Sequence, residues 1–461
     1  MDSKNEHGHI SIGRDESGMV LRCGFCFFFV LFGYFLLRPL REAMGVERSM
    51  GDLRWLFVIT TAISLVVVLG FGGLVSRLDR RRLIPIAFRA VMACLVVFIL
   101  LLEVGLGERA QLIAGYVFYV WLSVINLFMM SIFWAFMADI WTLGQGKRVY
   151  ASIGVGGTLG ALLGSNFVWW LADEIGPAIQ MGIAVVMFEL AAVMVRRIDR
   201  LVDQRSRTQE QRTEHSELAV TPVGGSWADG VGALIRSPYL LGVGLYIVFL
   251  AVSNTLIYFT QANLVVDATD ELSGRIALFA QLDMWTQLAT LMVQLFVTAQ
   301  LIKRLGIGIA LMLLPLVTVV GFVSLAWVSN RPGIESWQVF AVFAAFNAIH
   351  RATRYAVIRP ARETLFSVVD TTQKYKAKPI VDVFLYRGGD VAGAGVESAI
   401  AAAGIGLMGM VMVMMPLAVL WGGLSIALAV GQHRRASGGQ GHYSETQTHT
   451  TGRCTPTAVE K

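Results

Sequence analysis

Arg351 and Arg354 lie three residues apart inside an apolar run, AVFAAFNAIHRATRYAVI, with Asn347 one turn earlier and Tyr355 beside them. On a helix that spacing puts both guanidinium groups on one face. An arginine turned toward lipid costs several kcal/mol, so in a membrane-crossing helix the pair is expected to face a wet cavity and an anion. The planar fork of arginine suits a carboxylate or phosphate gripped by two parallel hydrogen bonds. Downstream, as far as position 390, Arg359, Arg362, Lys374, Lys376, Lys378 and Arg387 alternate with Glu363, Asp370, Asp382 and Asp390. This is chemistry for holding and releasing an anion. The three lysines are expected at a gate, and Arg387 is expected to pair with Asp390.

A second cluster closes the first apolar run, in YFLLRPLRE: Arg38 and Arg41 share a helix face, and Glu42 can pair with Arg38 four residues back. Two accounts stay open for it, anchoring by arginines that snorkel to the interface and binding of an anion. Asn126 is a further polar candidate inside an apolar run, and Asp283, Gln287 and Gln294 share one face of another. Glu189 and Glu397 read as isolated carboxylates, which permits a proton-coupling role. No Ser/His/Asp set, HExxH or metal-ligand spacing occurs, so neither an enzymatic reaction nor a cofactor or metal is expected. Cys23 and Cys26 form a C-x-x-C within the first apolar run and read as two small packing residues.

The elements that must position these residues are membrane helices. Of the 461 residues 55% are hydrophobic and only 15% charged, with a mean hydropathy of +0.62. That balance belongs to a polytopic membrane protein. Apolar runs near the twenty-residue crossing length fall at about 19–41, 54–76, 84–106, 111–138, 149–172 and 177–196, and again at about 238–263, 274–302, 306–328, 337–358, 379–403 and 405–430. The first run lacks a cleavage site and is expected to stay as a helix. Basic loops alternate with acidic or neutral ones: RLDRRR, which contains Arg80, then GQGKR, which contains Lys147, then KR and the 374–378 cluster. The positive-inside rule then puts both termini and the central linker in the cytoplasm. Basic residues confined to short loops exclude nucleic-acid binding.

GKRVYASIGVGGTLGALLG in the first half is echoed by KAKPIVDVFLYRGGDVAGAG in the second, each a basic loop followed by a glycine-bearing helix. Gly156, Gly160 and Gly164 recur every fourth residue, a stripe that lets a partner helix come close. GGLVSRLDRRR resembles the loop signature of the major facilitator superfamily, with Ser76 where that signature has an acid.

LLRPLRE is similar to the R-x-x-K-D of the ATP/ADP translocase family. RETLF, KYKAK and YRGGD resemble a run of its bacterial carrier-like members, and Lys147 and Arg148 before the glycine helix fit as well. The resemblance implies an all-α fold of twelve transmembrane helices in two pseudo-symmetric six-helix bundles, of major-facilitator type, and nucleotide exchange. Arg38 then matches the family arginine, while Arg41 and Glu42 stand for its lysine and aspartate. The expected organisation is a tail over 1–18, a bundle over 19–196, a cytoplasmic linker over 197–236, a second bundle over 237–431 and a disordered tail over 432–461. The expected protein is a monomeric carrier in a bacterial inner membrane, within the lipid bilayer. Its expected cargo is an anionic, phosphorylated small molecule, nucleotides first, bound by Arg38, Arg41, Asn126, Asp283, Gln287, Asn347, Arg351, Arg354 and Tyr355. Gating or coupling is expected of Arg80, Lys147, Glu189, Lys376, Lys378, Arg387, Asp390 and Glu397. Two other readings stay open: a proton-coupled carrier of another organic solute, and a membrane sensor that has lost transport.

Overall fold

A computed structural model describes residues 14–75, 80–104, 107–141, 143–210, 232, 234–296, 298–369, 377, 378 and 380–450. Among these residues every regular element is helical. Lipid offers no hydrogen bonds to a bare backbone, so a spanning segment must satisfy its own amides, and a helix does so. The first half comprises α1 (Arg14–Gly45), α2 (Met50–Val75), α3 (Arg80–Glu103), α4 (Glu108–Ile140), α5 (Leu143–Leu171) and α6 (Pro177–Glu210). The second comprises α7 (Pro238–Ala268), α8 (Leu272–Phe296), α9 (Thr298–Ser329), α10 (Ser336–Ala352), α11 (Arg359–Leu365), α12 (Tyr386–Ala402) and α13 (Gly406–Thr450). Local chemistry sets several starts. Pro238 follows Ser237, whose hydroxyl accepts from the Leu240 amide, and Glu335 and Gln338 form a reciprocal capping box ahead of α10.

Ten helices among the described residues are long and apolar enough to cross a membrane. Two of the expected twelve spans are not among these ten; where they were expected, the structure has charged rods built in pieces. One is α10 running through a π-helical turn, Thr353–Ile358, into α11; the other is a π-helical turn, Ile380–Leu385, running into α12. Single π turns inside helices often mark functional sites. At the ends, α1 starts within the stretch expected as a tail, and α13 continues through 432–450. Lys374 and Lys376 lie outside the described residues, as do Ser76 and most of the 197–236 linker beyond Glu210.

The glycine stripe has a definite partner. A Cβ on Gly164 would stand 2.7 Å from the Phe32 carbonyl oxygen of α1, and Gly156 and Gly160 meet the backbones of Gly24 and Phe28, two turns and one turn earlier. In the second half Gly389 and Gly393 of α12 approach the carbonyls of Val248 and Val252 in α7, at 2.9 and 3.1 Å from the built Cβ. Each half thus seats a glycine-bearing helix on its own first helix at the same four-residue interval, as duplicated halves would. Cys23 and Cys26 are buried free thiols inside the α1 packing.

The halves do not meet evenly along their length. One buried apolar cluster joins α1, α4 and α6 to the later part of α7 and the first part of α8, through residues such as Phe259 and Phe279. A separate cluster, with Tyr246, Val357, Val381 and Trp421, belongs to the second half alone. The halves are therefore fused at the end where α1 passes into α2, and diverge toward the opposite end.

Candidate functional site

The fused end is fastened by polar ties between halves. Arg38 Nη1 donates to Asp283 Oδ1 at 2.5 Å, and Arg351 Nη1 reaches the same oxygen at 3.0 Å. Glu42, which is buried and paired with Arg41, accepts from the Tyr258 hydroxyl at 2.6 Å. That hydroxyl lies 2.8 Å from the hydroxyl of Tyr119. Closer to the rim, Arg54 of α2 donates to both oxygens of Glu397 in α12, at 2.5 and 2.9 Å. Arg275 of α8 donates to the backbone carbonyls of Val46 and Glu47 at 3.0 and 3.3 Å.

Below these ties lies a cavity of about 630 Å³ between the halves, a size that suits a small organic ligand, roughly 300–1,000 Å³. Its walls hold six arginines, Arg38, Arg41, Arg354, Arg359, Arg362 and Arg387, against three carboxylates, Glu42, Asp382 and Asp390. The carboxylates are already engaged: Asp382 with Arg362 at 3.3 Å, Asp390 with Arg387 at 3.1 Å, and Glu42 with Arg41. Arg354 instead bonds neutral groups, Asn254 Oδ1 and the Tyr386 hydroxyl, the latter at 2.5 Å. No acid pairs with it among the described residues. Phe57, Tyr119, Tyr258, Tyr355 and Tyr386 give the cavity aromatic faces, and Thr60, Ser123 and Asn126 line the first half's wall. Thr60 Oγ1 is buried without a hydrogen-bond partner among the described residues.

The structure sorts the expected site residues. Arg38, Arg41, Asn126, Arg354, Tyr355, Arg387 and Asp390 line the cavity together. Arg351 does not accompany Arg354 into it. A π turn begins at Thr353, directly after the helix that carries Arg351, and Arg351 bonds Asp283 instead. Asp283 is buried in that pair, Gln287 is half-buried outside the lining, and Gln294 is exposed and accepts from Thr158 at 3.4 Å. Asn347 and His350 are buried beside Phe346 and Phe343, with Asn347 Nδ2 and both imidazole nitrogens unpaired among the described residues.

Neither expected lone carboxylate is isolated. Glu189 is half-exposed on α6 and pairs with Arg196 at 2.9 Å, away from the cavity. Glu397 is the rim partner of Arg54, a residue whose sequence setting, four residues into α2, looks like ordinary anchoring. Lys378 meets Glu363 at 2.5 Å and lies over the Phe366 ring. The backbones of Arg80 and Lys147 are helical, and their side chains lie outside the described ones, as does all of Lys376. Tyr119, Tyr258 and the Thr60–Thr61 pair went unread. Their one sequence signal is polar oxygen in the middle of an apolar run.

The sequence profile of the TLC ATP/ADP transporter family matches residues 113–423. The chain belongs to the TLC ATP/ADP transporter family. ADP,ATP carrier protein 1 of Chlamydia trachomatis is 23% identical over 434 residues, which cover 82% of this chain and 81% of the relative. The chloroplastic ADP,ATP carrier protein 2 of Arabidopsis thaliana is 21% identical, over 79% of this chain and 66% of its own. A solved structure of the nucleoside transporter NupG superposes with a TM-score of 0.59 at 12% identity, covering 90% of this chain and 99% of that one. A bacterial homolog of the human lysosomal transporter Spinster, in an inward-facing and unoccupied conformation, gives 0.50 at 13% identity, covering 97% and 100%. The fold of this family member is thus all-helical and of major-facilitator type, in an integral membrane protein.

Proposed function

We propose that the protein is a secondary carrier that exchanges nucleotides, ATP against ADP first, by alternating access. The observation that carries this is the surplus of arginine over carboxylate in a cavity shared by two halves. A polyphosphate supplies the missing negative charge, and guanidinium is its natural partner. The tyrosine and phenylalanine faces offer stacking for a base. The names of the Chlamydia and Arabidopsis relatives agree with this cargo. A membrane carrier of this type is a transporter rather than an enzyme.

Read with the basic loops inside, the fused end faces away from the cytoplasm and the cavity is reached from it. The two halves over 19–196 and 237–431 act as the moving bodies, both termini are cytoplasmic, and the working unit is one chain in the inner membrane. The carboxylates that a proton-coupled carrier would use, Glu189, Asp283 and Glu397, all sit in ion pairs, so no observation favours that reading.

Ligand binding to the native state raises apparent stability. In a thermal-shift series on the purified protein, ADP and ATP should raise Tm and adenosine should not. A Tm unmoved by every nucleotide would contradict the proposed cargo.

A further inference from the structure

Arg38 faces two ways. It lines the cavity, and it donates to Asp283 Oδ1 at 2.5 Å. Asp283 and Arg351 do not line the cavity, and Asp283 is 1% exposed. One carboxylate oxygen is thus shared by a guanidinium from the first half, on α1, and one from the second, on α10. The other ties between halves are built differently. Arg54 and Glu397, Arg275, and the Thr158–Gln294 pair all lie outside the cavity lining, so a bound ligand does not touch them. Tyr258 and Glu42 do line it, but Glu42 is an acid and repels an anion. Arg38–Asp283 combines three properties: it crosses between halves, its cation is exposed to the cavity, and its anion is hidden behind that cation.

We propose that Asp283 is the internal anion that locks the empty carrier, and that substrate phosphate releases the lock by drawing Arg38 away from it. The proposal rests on the exchange reading above and explains why transport would need a counter-substrate. With the cavity empty, Asp283 holds α1 to α8 and α10 and keeps the fused end shut. With a phosphate against Arg38, the guanidinium divides its donors between two anions and the tie loosens, so the halves can rock. A carrier that has released its cargo on the open side of the cavity is locked again and cannot return empty. Arg351 keeps the Asp283 carboxylate paired and aimed when Arg38 leaves it.

The experiment compares wild type with Asp283→Asn in proteoliposomes loaded with labelled ADP, in which only carriers with the fused end toward the lumen are left active. Wild type should release ADP only when nucleotide is present outside. Asp283→Asn should release it into nucleotide-free medium at a rate at least tenfold above wild type, so that the ratio of unaccompanied efflux to exchange rises. A wild type that shows no exchange at all would remove the exchange reading itself. A wild type that exchanges beside an Asp283→Asn protein that still demands counter-substrate would overturn the lock alone.

Should Asp283→Asn carry nothing, the conformation is read directly. Spin labels at Glu108→Cys and Pro332→Cys, with Cys94→Ser and Cys454→Ser, report the separation of the halves at the fused end in lipid nanodiscs. Empty wild type should show one short distance, to which ADP adds a longer one. Asp283→Asn should show the longer distance without ADP and change little when ADP is added. Glu397→Gln, which weakens a tie out of substrate's reach, should also gain the longer distance but still respond to ADP at least twofold. An empty Asp283→Asn protein with the single short distance of wild type would refute the lock.

Discussion

Arg354 and Arg359 are the cavity cations with no acid in hydrogen-bond reach among the described residues; Arg354 is held by Asn254 and Tyr386 and lies near the rings of Tyr355 and Tyr386 at 5.2 and 5.7 Å. A charge-assisted hydrogen bond is worth about 1.5–3 kcal/mol. Arg354→Ala should therefore raise KM for nucleotide roughly 10- to 100-fold. Arg354→Lys should fall between, because it keeps the charge and loses the fork. Uptake kinetics unchanged by Arg354→Ala would show that phosphate binds elsewhere. Glu363, on α11 beyond the apolar 337–358 run, has another role. Half-burial pushes its carboxyl up, but the Lys378 ammonium and the Arg362 guanidinium outweigh that and hold it below its ordinary value. A depressed carboxylate contributes stability above its unfolded pKa and loses it as pH falls through the folded value. Glu363→Gln should thus lower Tm slightly at neutral pH, with the difference closing below about pH 4. A Tm difference that persisted in acid would show that the Lys378 pair is not its source. Arginines in apolar runs were legible as cavity residues because lipid leaves them few alternatives. Partners were not: Arg54 and Glu397 are 343 positions apart, and only folding brings them together.

At the scale of elements, periodicity was readable and its target was not. Glycines every fourth residue announced a close helix contact, and the structure supplies α1 as the partner. Positions on the same helix should respond in opposite ways. Gly160 faces the Phe28 backbone, whereas nothing lies within 4 Å of a Cβ built on Gly154. Gly160→Ala should destabilise by about 1–3 kcal/mol through overpacking. Gly154→Ala should be neutral or stabilise by about 0.5–1 kcal/mol, since alanine is the better helix former. Thermal unfolding in detergent separates the two, and equal effects would mean that the stripe does not set the α1–α5 distance. The π turns at 353–358 and 380–385 could not be read. Nothing in the types or spacing of TRYAVI or IVDVFL distinguishes a π turn from an α-helical one, yet the first lies where Arg351 and Arg354 part company.

For the whole molecule, hydropathy anticipated the order of the rods, ten of which are long and apolar enough to cross a membrane among the described residues, and the echo between GKRVYASIGVGG and KAKPIVDVFLYRGG anticipated the matched seating of α5 on α1 and of α12 on α7. The tilt of the halves, fused at one end and parted at the other, arises from contacts distant in sequence and had no local signal. That tilt leaves a cationic cavity between two bodies, and the account stands on its being a nucleotide exchange site. Transport by the purified protein in proteoliposomes tests it most directly. Vesicles loaded with unlabelled ADP should take up labelled ATP, empty vesicles should not, and Arg354→Ala should need far more substrate to reach the same rate. Vesicles that take up no nucleotide, whatever they are loaded with, would contradict it.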